Sequence, residues 1–419
     1  MQGAVVVRTR VAVGATYAAQ GFGYATVVTA LPGLKARTGI DDASISVVLL
    51  MGALLAAGGS VAAERLARRW SSRTPVVVGL LAQGVGLALV AAATSVPPLV
   101  GAFVVFALGL GMVDASANMQ GVALQHRVGR SIMSTLFACL TTAAIVAALA
   151  QSGLAGLGTT TGAVVALLVA SVVAAAVALT VRPALVHGDG PVVVPGAVVP
   201  TPAATLEPAP DAPQGGAART PVPRPPLPRA GIWLFGAMVA VAFVVDSAVS
   251  SWSTVYLHDG LAAPASVAPL GYAAYQGAVL VARLAGDPLV RRYGRAATAA
   301  PTIVVAAVGL FVVALVPSPA AAIVGFALAG IGAGTLVPLA FSAAGELVPG
   351  RVDDVVARIN LFNYAGALVG AVALGLLSDV TGLGPAFLVP AVMLVPALLV
   401  APRLGGAPAA ARAEGRTHP

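Results

Sequence analysis

The sequence predicts an all-α integral membrane protein with twelve transmembrane helices in two six-helix bundles. Three observations predict it. Of 419 residues, 58 % are apolar and only 9 % charged, against roughly a quarter charged in a soluble domain. The apolar residues gather in runs of about 20, the length that crosses a bilayer. The first six runs also recur, in weakened form, as the last six. So few charges cannot cover a water-soluble fold, and the composition does not suit a disordered chain. One cysteine, Cys139, excludes an internal disulfide and a cysteine metal cluster. The single lysine, Lys35, with no GxxxxGK, excludes a P-loop. Histidines 126, 187, 258 and 418 are scattered without HExxH spacing, so no metal or other cofactor is expected.

The twelve runs lie near 11–31, 44–63, 75–94, 98–120, 132–153, 160–181, 231–255, 266–286, 297–316, 320–343, 355–377 and 384–402. The first follows Arg8 and Arg10, is too long for a signal-peptide core and has no clear cleavage site, so it reads as an uncleaved first span. The net charge of +8 is not gathered on one face. Arginines sit in the gaps after spans 2, 4 and 8 (Arg65, Arg68, Arg69 and Arg73; Arg127 and Arg130; Arg291, Arg292 and Arg295), whereas the gaps after spans 3, 5 and 9 carry no charge. That asymmetry orients even-numbered gaps and both termini to the cytoplasm of a bacterial plasma membrane. The partners expected are the lipid bilayer and a small-molecule substrate, not nucleic acid, and a monomer is the expected state. The gap after span 10, with Glu346, Arg351, Asp353, Asp354 and Arg358, does not follow the rule.

Residues 183–230 hold twelve prolines between Pro191 and Pro228 and read as a flexible cytoplasmic linker. The expected division is a bundle over 1–182, the linker 183–230, a bundle over 231–404, and a cytoplasmic tail over 405–419.

The repeat has a fixed offset. Glu64-Arg-Leu-Ala-Arg-Arg-Trp-Ser71 aligns with Asp287-Pro-Leu-Val-Arg-Arg-Tyr-Gly294, a shift of 223 residues. The same shift carries Phe103, Gly109 and Gly111 onto Phe326, Gly332 and Gly334. Parallel six-span repeats joined by a long loop describe a two-bundle transporter with a substrate site near the midplane.

At these residues the chain resembles the major facilitator superfamily over nearly its whole length. The loop after span 2 is similar to the superfamily's G-x-L-x-D-R-x-G-R-R signature: Leu66, Arg69 and Arg73 match, while Glu64, Arg68 and Ser71 replace Gly, Asp and Gly. The missing Asp removes the usual latch residue, with Glu64 as a substitute. Gly109 to Gly121, Gly129 to Ser134, Ser251 to Leu257, Gly271-Tyr-Ala-Ala, Arg283 to Asp287 and Pro338 to Gly345 resemble a mostly uncharacterised bacterial inner-membrane branch, loosely near sugar–proton symporters. Asp246-Ser247 replaces that branch's Glu-Gly, Ser251 its Asp, Phe137 its His and Gln125 its Glu, which implies altered substrate or coupling.

An ionisable group at membrane depth is expensive and marks a candidate site. Asp246 lies ~22 Å into span 7 at 1.5 Å per residue, with Ser250 and Ser253 on the same stripe. The resemblance implies that span 7 lines the central cavity, where a carboxyl group alternately dried and wetted exchanges protons. The bland alternative is a hydrogen bond to a neighbouring helix. Asp114 and Asn118, toward the cytoplasmic end of span 4, form either a polar site or a latch to Arg69 or Arg73 made in one conformation only. Arg283 either pairs with Asp287 near the surface or serves as counter-ion to a substrate. Tyr17, Gln20 and Tyr24 share a face of span 1 and suit a polar organic solute, or pack. Tyr272, Tyr275, Gln276, Asn360, Asn363 and Tyr364 form a second tier. Trp252 reads as an interfacial anchor or packing residue, and Gly366 and Gly370 as a close helix contact.

The expected function is a secondary transporter moving a small organic solute by alternating access, coupled to the proton gradient. Uptake and export use the same architecture. Residues 134–150 lack Gly and Pro, unlike span 5 of many drug–proton antiporters. A sensor or scaffold that kept the fold, or an exporter of a hydrophobic compound, is the alternative. No paired carboxylates or nucleophile–base spacing suggests an enzyme.

Overall fold

The structure, a computed structural model, describes residues 2–128, 132–186, 228–347 and 352–405. The regular elements among them are all helical: α1 (Gln2–Thr38), α2 (Asp42–Arg69), α3 (Arg73–Ala92), α4 (Val96–Val128), α5 (Met133–Gly153), α6 (Thr159–Val181), α7 (Arg229–Val255), α8 (Ala268–Tyr293), α9 (Arg295–Leu315), α10 (Pro319–Gly345), α11 (Val352–Thr381), α12 (Leu383–Ala386) and α13 (Leu388–Val400). A π-helical turn, Tyr256–Gly260, continues α7. α12, α13 and the turn after them form one apolar stretch, Leu383–Gly405. The count is therefore twelve crossings, as the apolar runs require. Most of the expected linker and tail lies outside the described residues.

The helices overrun the apolar runs, because polar turns at the membrane surface continue the same backbone ladder. α1 begins at Gln2 and ends at Thr38, and α4 reaches Val128. Their ends are chemically marked. Asp41 caps α2 by accepting from the Ser44 amide (2.7 Å), and Ser44, through its side chain first and this amide second, holds the Asp41 carboxyl below the usual range. Gly294 separates α8 from α9 at φ +85°, a conformation that favours glycine.

Among the described residues, ten helices are long and apolar enough to cross a membrane; α1 and α8 are not among them. α1 carries Tyr17, Gln20 and Tyr24, and α8 carries Tyr272, Tyr275, Gln276 and Arg283. A helix that lines a wet cleft gives up apolar residues on that side.

Packing within the first six helices is repeated in the last six. α2 packs on α4 as α8 packs on α10; α3 on α4 as α9 on α10; α1 on α5 and α6 as α7 on α11 and α13. The contact points keep the sequence offset. A Cβ on Gly111 would lie 1.9 Å from the Ala56 carbonyl oxygen, and one on Gly334, 2.8 Å from that of Val279. Both glycine and partner are displaced by 223 residues. Gly109 against Gln83 and Gly332 against Ala306 repeat the relation. These glycines exist because two helix backbones touch there. Gly366 and Gly370 do the same for α11 on α7, against the carbonyls of Ala240 and Val244.

Between the halves, α2 meets α11, α5 meets α8 and α1 meets α7. Under the repeat α2 corresponds to α8 and α5 to α11, so the seam relates to itself by a pseudo-two-fold.

Gly111→Ala is expected to lower stability by about 1–3 kcal/mol, the usual cost of overpacking, read as an earlier melting transition in detergent. Gly101→Ala on the same helix, where a Cβ meets nothing within 4 Å, should melt as the parent does.

Candidate functional site

The candidate residues of the first half meet on α1 and α4. The Tyr17 hydroxyl donates to Asn118 Oδ1 (2.7 Å), and Gln20 Nε2 donates to Asp114 Oδ1 (3.1 Å). Asn118 also ties back to its own helix at the Asp114 carbonyl (2.9 Å). The spacing i, i+3 on α1 and i, i+4 on α4 makes this possible, since each pair shares one helix face. Tyr17 and Gln20 are buried, while Asp114 beside them is exposed. Asp114 lies near the middle of α4, so its exposure is to a space between helices. Tyr364, 64 % exposed on α11, interacts electrostatically with it from the other half.

The second half mirrors this with α7 and α8. The Tyr275 hydroxyl donates to Asp246 Oδ1 (2.8 Å), and Gln276 Nε2 donates to the Tyr272 hydroxyl (3.1 Å). Arg283, exposed on α8, interacts electrostatically with Asp246 and Tyr275. Tyr24 of α1 interacts electrostatically with Asp246 and Ser251 of α7, across the halves. Ser250 is buried one turn beyond Asp246.

One end of the seam is shut. Ser46 at the start of α2 sits against Gly375 of α11 and the Trp252 ring. The Ser152 hydroxyl at the end of α5 donates to the Ser266 carbonyl. Lys35 of α1 bridges Asp42 and Asp259 of the second half, each at 2.5 Å. All of these residues lie at the end opposite the first residues of α1 and the last of α13. Toward the termini Asp114, Arg283 and Tyr364 are exposed. The result is a cleft between the halves, sealed at one end, with Asp246 near its floor and Asp114 on its wall.

Several expectations change. Asp114 lies mid-helix rather than toward the end of α4, because α4 runs on to Val128. In the conformation seen here its side-chain partner is Gln20. Arg69 lies over the Trp70 ring (5.4 Å), and Arg73 donates to the carbonyls of Leu185 (2.5 Å) and Val186 (3.4 Å). Glu64, the substitute latch residue, pairs locally with Arg68. Of the two readings of Trp252, packing holds: it is fully buried, its Nε1 donating to the Ala371 carbonyl (2.8 Å), since Gly375 leaves room for its ring. Asn363 is half-buried on α11. The side chains of Asp287 and Asn360 lie outside the described residues. Sequence reasoning missed the Lys35–Asp259 bridge. Its one signal is that Lys35 and His258, beside Asp259, are equivalent under the 223-residue offset.

A doubled six-helix unit around a cleft with polar groups at membrane depth matches known proteins. The Major Facilitator Superfamily model matches residues 13–325 and 234–417. The chain belongs to the major facilitator superfamily. It is thus a multi-pass membrane transporter of that superfamily. An uncharacterised MFS-type transporter of Yersinia pestis is 28 % identical over 370 residues, 88 % of each chain. Membrane protein MosC of Rhizobium meliloti is 26 % identical over 383 residues, 91 % of this chain and 86 % of MosC. Among solved structures, a mutant of the nucleoside transporter NupG has a TM-score of 0.70 at 13 % identity, covering 94 % of this chain and 99 % of NupG. A bacterial homologue of the lysosomal transporter Spinster gives 0.70 at 13 % identity, over 96 % of each chain. These likenesses show the superfamily's fold.

A Cβ on Gly375 would fall 1.7 Å from Ser46 Oγ and 2.3 Å from Trp252 Cζ2. The serine can rotate away; the buried indole cannot. Gly375→Val is therefore expected to open the sealed end, read as a longer distance between spin labels on the α2 start and the α11 end. An unchanged distance in a folded variant would show that the seam tolerates the extra bulk.

Proposed function

We propose that the protein moves a small polar or amphipathic organic solute across the membrane by alternating exposure of the cleft, coupled to protons carried by Asp246. The observation that carries this reading is the pair Asp246–Tyr275 at the floor of a one-sided cleft. A carboxyl group at that depth is stable only if protonated, hydrogen-bonded or wetted. Tyr275 supplies one hydrogen bond, and the cleft supplies water on one side only. When the seam opens at its other end, the water around Asp246 changes side. That is the requirement for delivering a proton across the membrane.

The groups around the cleft suit a hydroxylated or amide-bearing solute. Tyr24, Tyr272, Gln276 and Tyr364 can stack on it or hydrogen-bond to it. Gln20 and Tyr17 hold Asp114 and Asn118 in place from behind. Arg283 is close enough to Asp246 to compete for it when the proton leaves. At the sealed end the polar pairs across the seam lie beside an apolar cluster shared by both halves, and in this reading water satisfies the polar groups when the halves part. With the termini in the cytoplasm, as the arginine distribution implies, the cleft faces inward here.

The test uses purified protein in proteoliposomes, a panel of radiolabelled solutes and an imposed proton gradient. A transported solute should show gradient-driven flux, and Asp246→Asn should reduce the gradient-driven part to that of protein-free vesicles while exchange of solute persists. Unchanged coupling in Asp246→Asn would remove Asp246 from this role. No flux of any solute, with the cleft frozen in one state, would leave a non-transporting protein of the same fold.

A further inference from the structure

The sealed end holds four ionisable groups that the cycle above does not use. Lys35 Nζ lies 2.5 Å from Asp42 Oδ1 and 2.5 Å from Asp259 Oδ2, and Asp259 Oδ1 lies 2.7 Å from His258 Nδ1. Lys35 and Asp42 belong to the first half; Asp259 and His258 belong to the second. Asp41, also of the first half, acts on Lys35 electrostatically, and Arg37 is held at the Ala91 carbonyl (2.7 Å). The pocket walls that α1, α5, α6 and α8 place beside His258 contribute no other titratable group, and α12 contains none. The side chains of the cluster stay 17–31 % exposed, so protons reach it from the water outside the seal.

The protonation state of His258 decides where the charges pair. With a neutral imidazole, Asp259 has no cation in its own half and draws Lys35 across the seam. With an imidazolium, Asp259 is balanced by His258 at the adjacent position, and Lys35 is balanced by Asp42. The cluster's charges then balance within each half, Lys35 and His258 repel, and the net attraction across the seam is weakened.

Below the cluster runs a polar stripe. Asp246, Ser250, Thr254 and His258 follow at four-residue steps, one face of α7 and its π-helical continuation, each step ~6 Å along the axis. Thr254 is 1 % exposed and its hydroxyl has no partner; the same holds for Ser253 beside it and for Oε1 of Gln151. Thr254, Gln151 and His258 wall one small pocket between the halves. Buried polar atoms without partners are uncommon and ask for water. Thr254 and Gln151 line the space that would flood if the seam parted.

We propose that His258 is the proton-uptake residue of the outer seal: protonation of its imidazole releases the Lys35–Asp259 clasp, and water entering along Thr254 and Ser250 connects it to Asp246. The proton taken from outside water passes from the imidazolium through that water to the Asp246 carboxylate. His258 returns to neutral, and the clasp can close again. The relay to Asp246 rests on the proposed coupling role of that residue; the release of the clasp does not.

The experiment uses the full chain in lipid vesicles, in a Cys139→Ser background, with spin labels on cysteines at Val47 and Val380. Distance distributions are recorded between about pH 8 and pH 5, the range in which histidine changes charge. The parent should gain a longer-distance population several-fold on acidification. His258→Gln should stay at the short distance throughout, and Asp259→Asn should show the long distance at both ends of the range. A His258→Gln protein that opens with acid as the parent does, or a parent that never opens, overturns the proposal. Asp246→Asn should keep the opening, so its loss of coupled flux is separable from failure here. For the relay, the infrared carboxyl band that Asp246→Asn removes should respond to external acid more slowly in Thr254→Val. An unchanged rate would overturn the route along the stripe.

Discussion

A polar side chain has few places to go inside a hydrocarbon slab, and the rest of this structure depends on that constraint. It must face water or another part of the protein. The tyrosines, amides and carboxyls of α1, α4, α7 and α8 accordingly turn toward the cleft and toward one another. The lipid-facing helices keep the apolar surfaces. α1 and α8 fall short as membrane-crossing helices when judged by hydropathy alone, and they are the helices that supply much of the cleft. Low hydropathy in a crossing helix is here a mark of position: it identifies the wall of the internal water space.

The second organising fact is that one packing solution is used twice. Gly111 on Ala56 and Gly334 on Val279 are one contact made in each half, and so are Gly109 on Gln83 and Gly332 on Ala306. Backbone contact at these points fixes how α4 and α10 lie across their neighbours. The cleft walls therefore inherit the same geometry. The chemistry placed on that geometry differs between halves. Asp114 projects from α4 with Gln20 behind it, whereas Asp246 projects from α7 with Tyr275 beside it. The shared scaffold carries asymmetric sites, as expected if the two halves do different work.

Much of this was legible in the sequence, because hydrophobic runs, charge placement and a fixed offset are one-dimensional. The helix count, the repeat and the shared faces of Tyr17, Gln20 and Tyr24 needed no coordinates. The partners did not follow so readily. Asp114 finds Gln20 because α1 crosses α4 at that height, and nothing within either helix says so. The place of Trp252 near the end of α7 left anchoring and packing both open, and Gly375, more than 100 residues away, is what makes it a core residue. In the sequence, Lys35 has two acidic residues close by, Asp41 and Asp42. That Asp259 also reaches it depends on how the two halves lean together, which local sequence does not encode.

The single lysine adds a practical consequence. In most proteins an amine-directed reagent meets many side chains, and its effect cannot be assigned. Here Lys35 is the only side-chain amine, and it sits where the two halves are pinned together. Acylation of Lys35 would thus erase one side-chain charge at one hinge-like point. The molecule carries a chemical handle on its own clasp without any engineered residue.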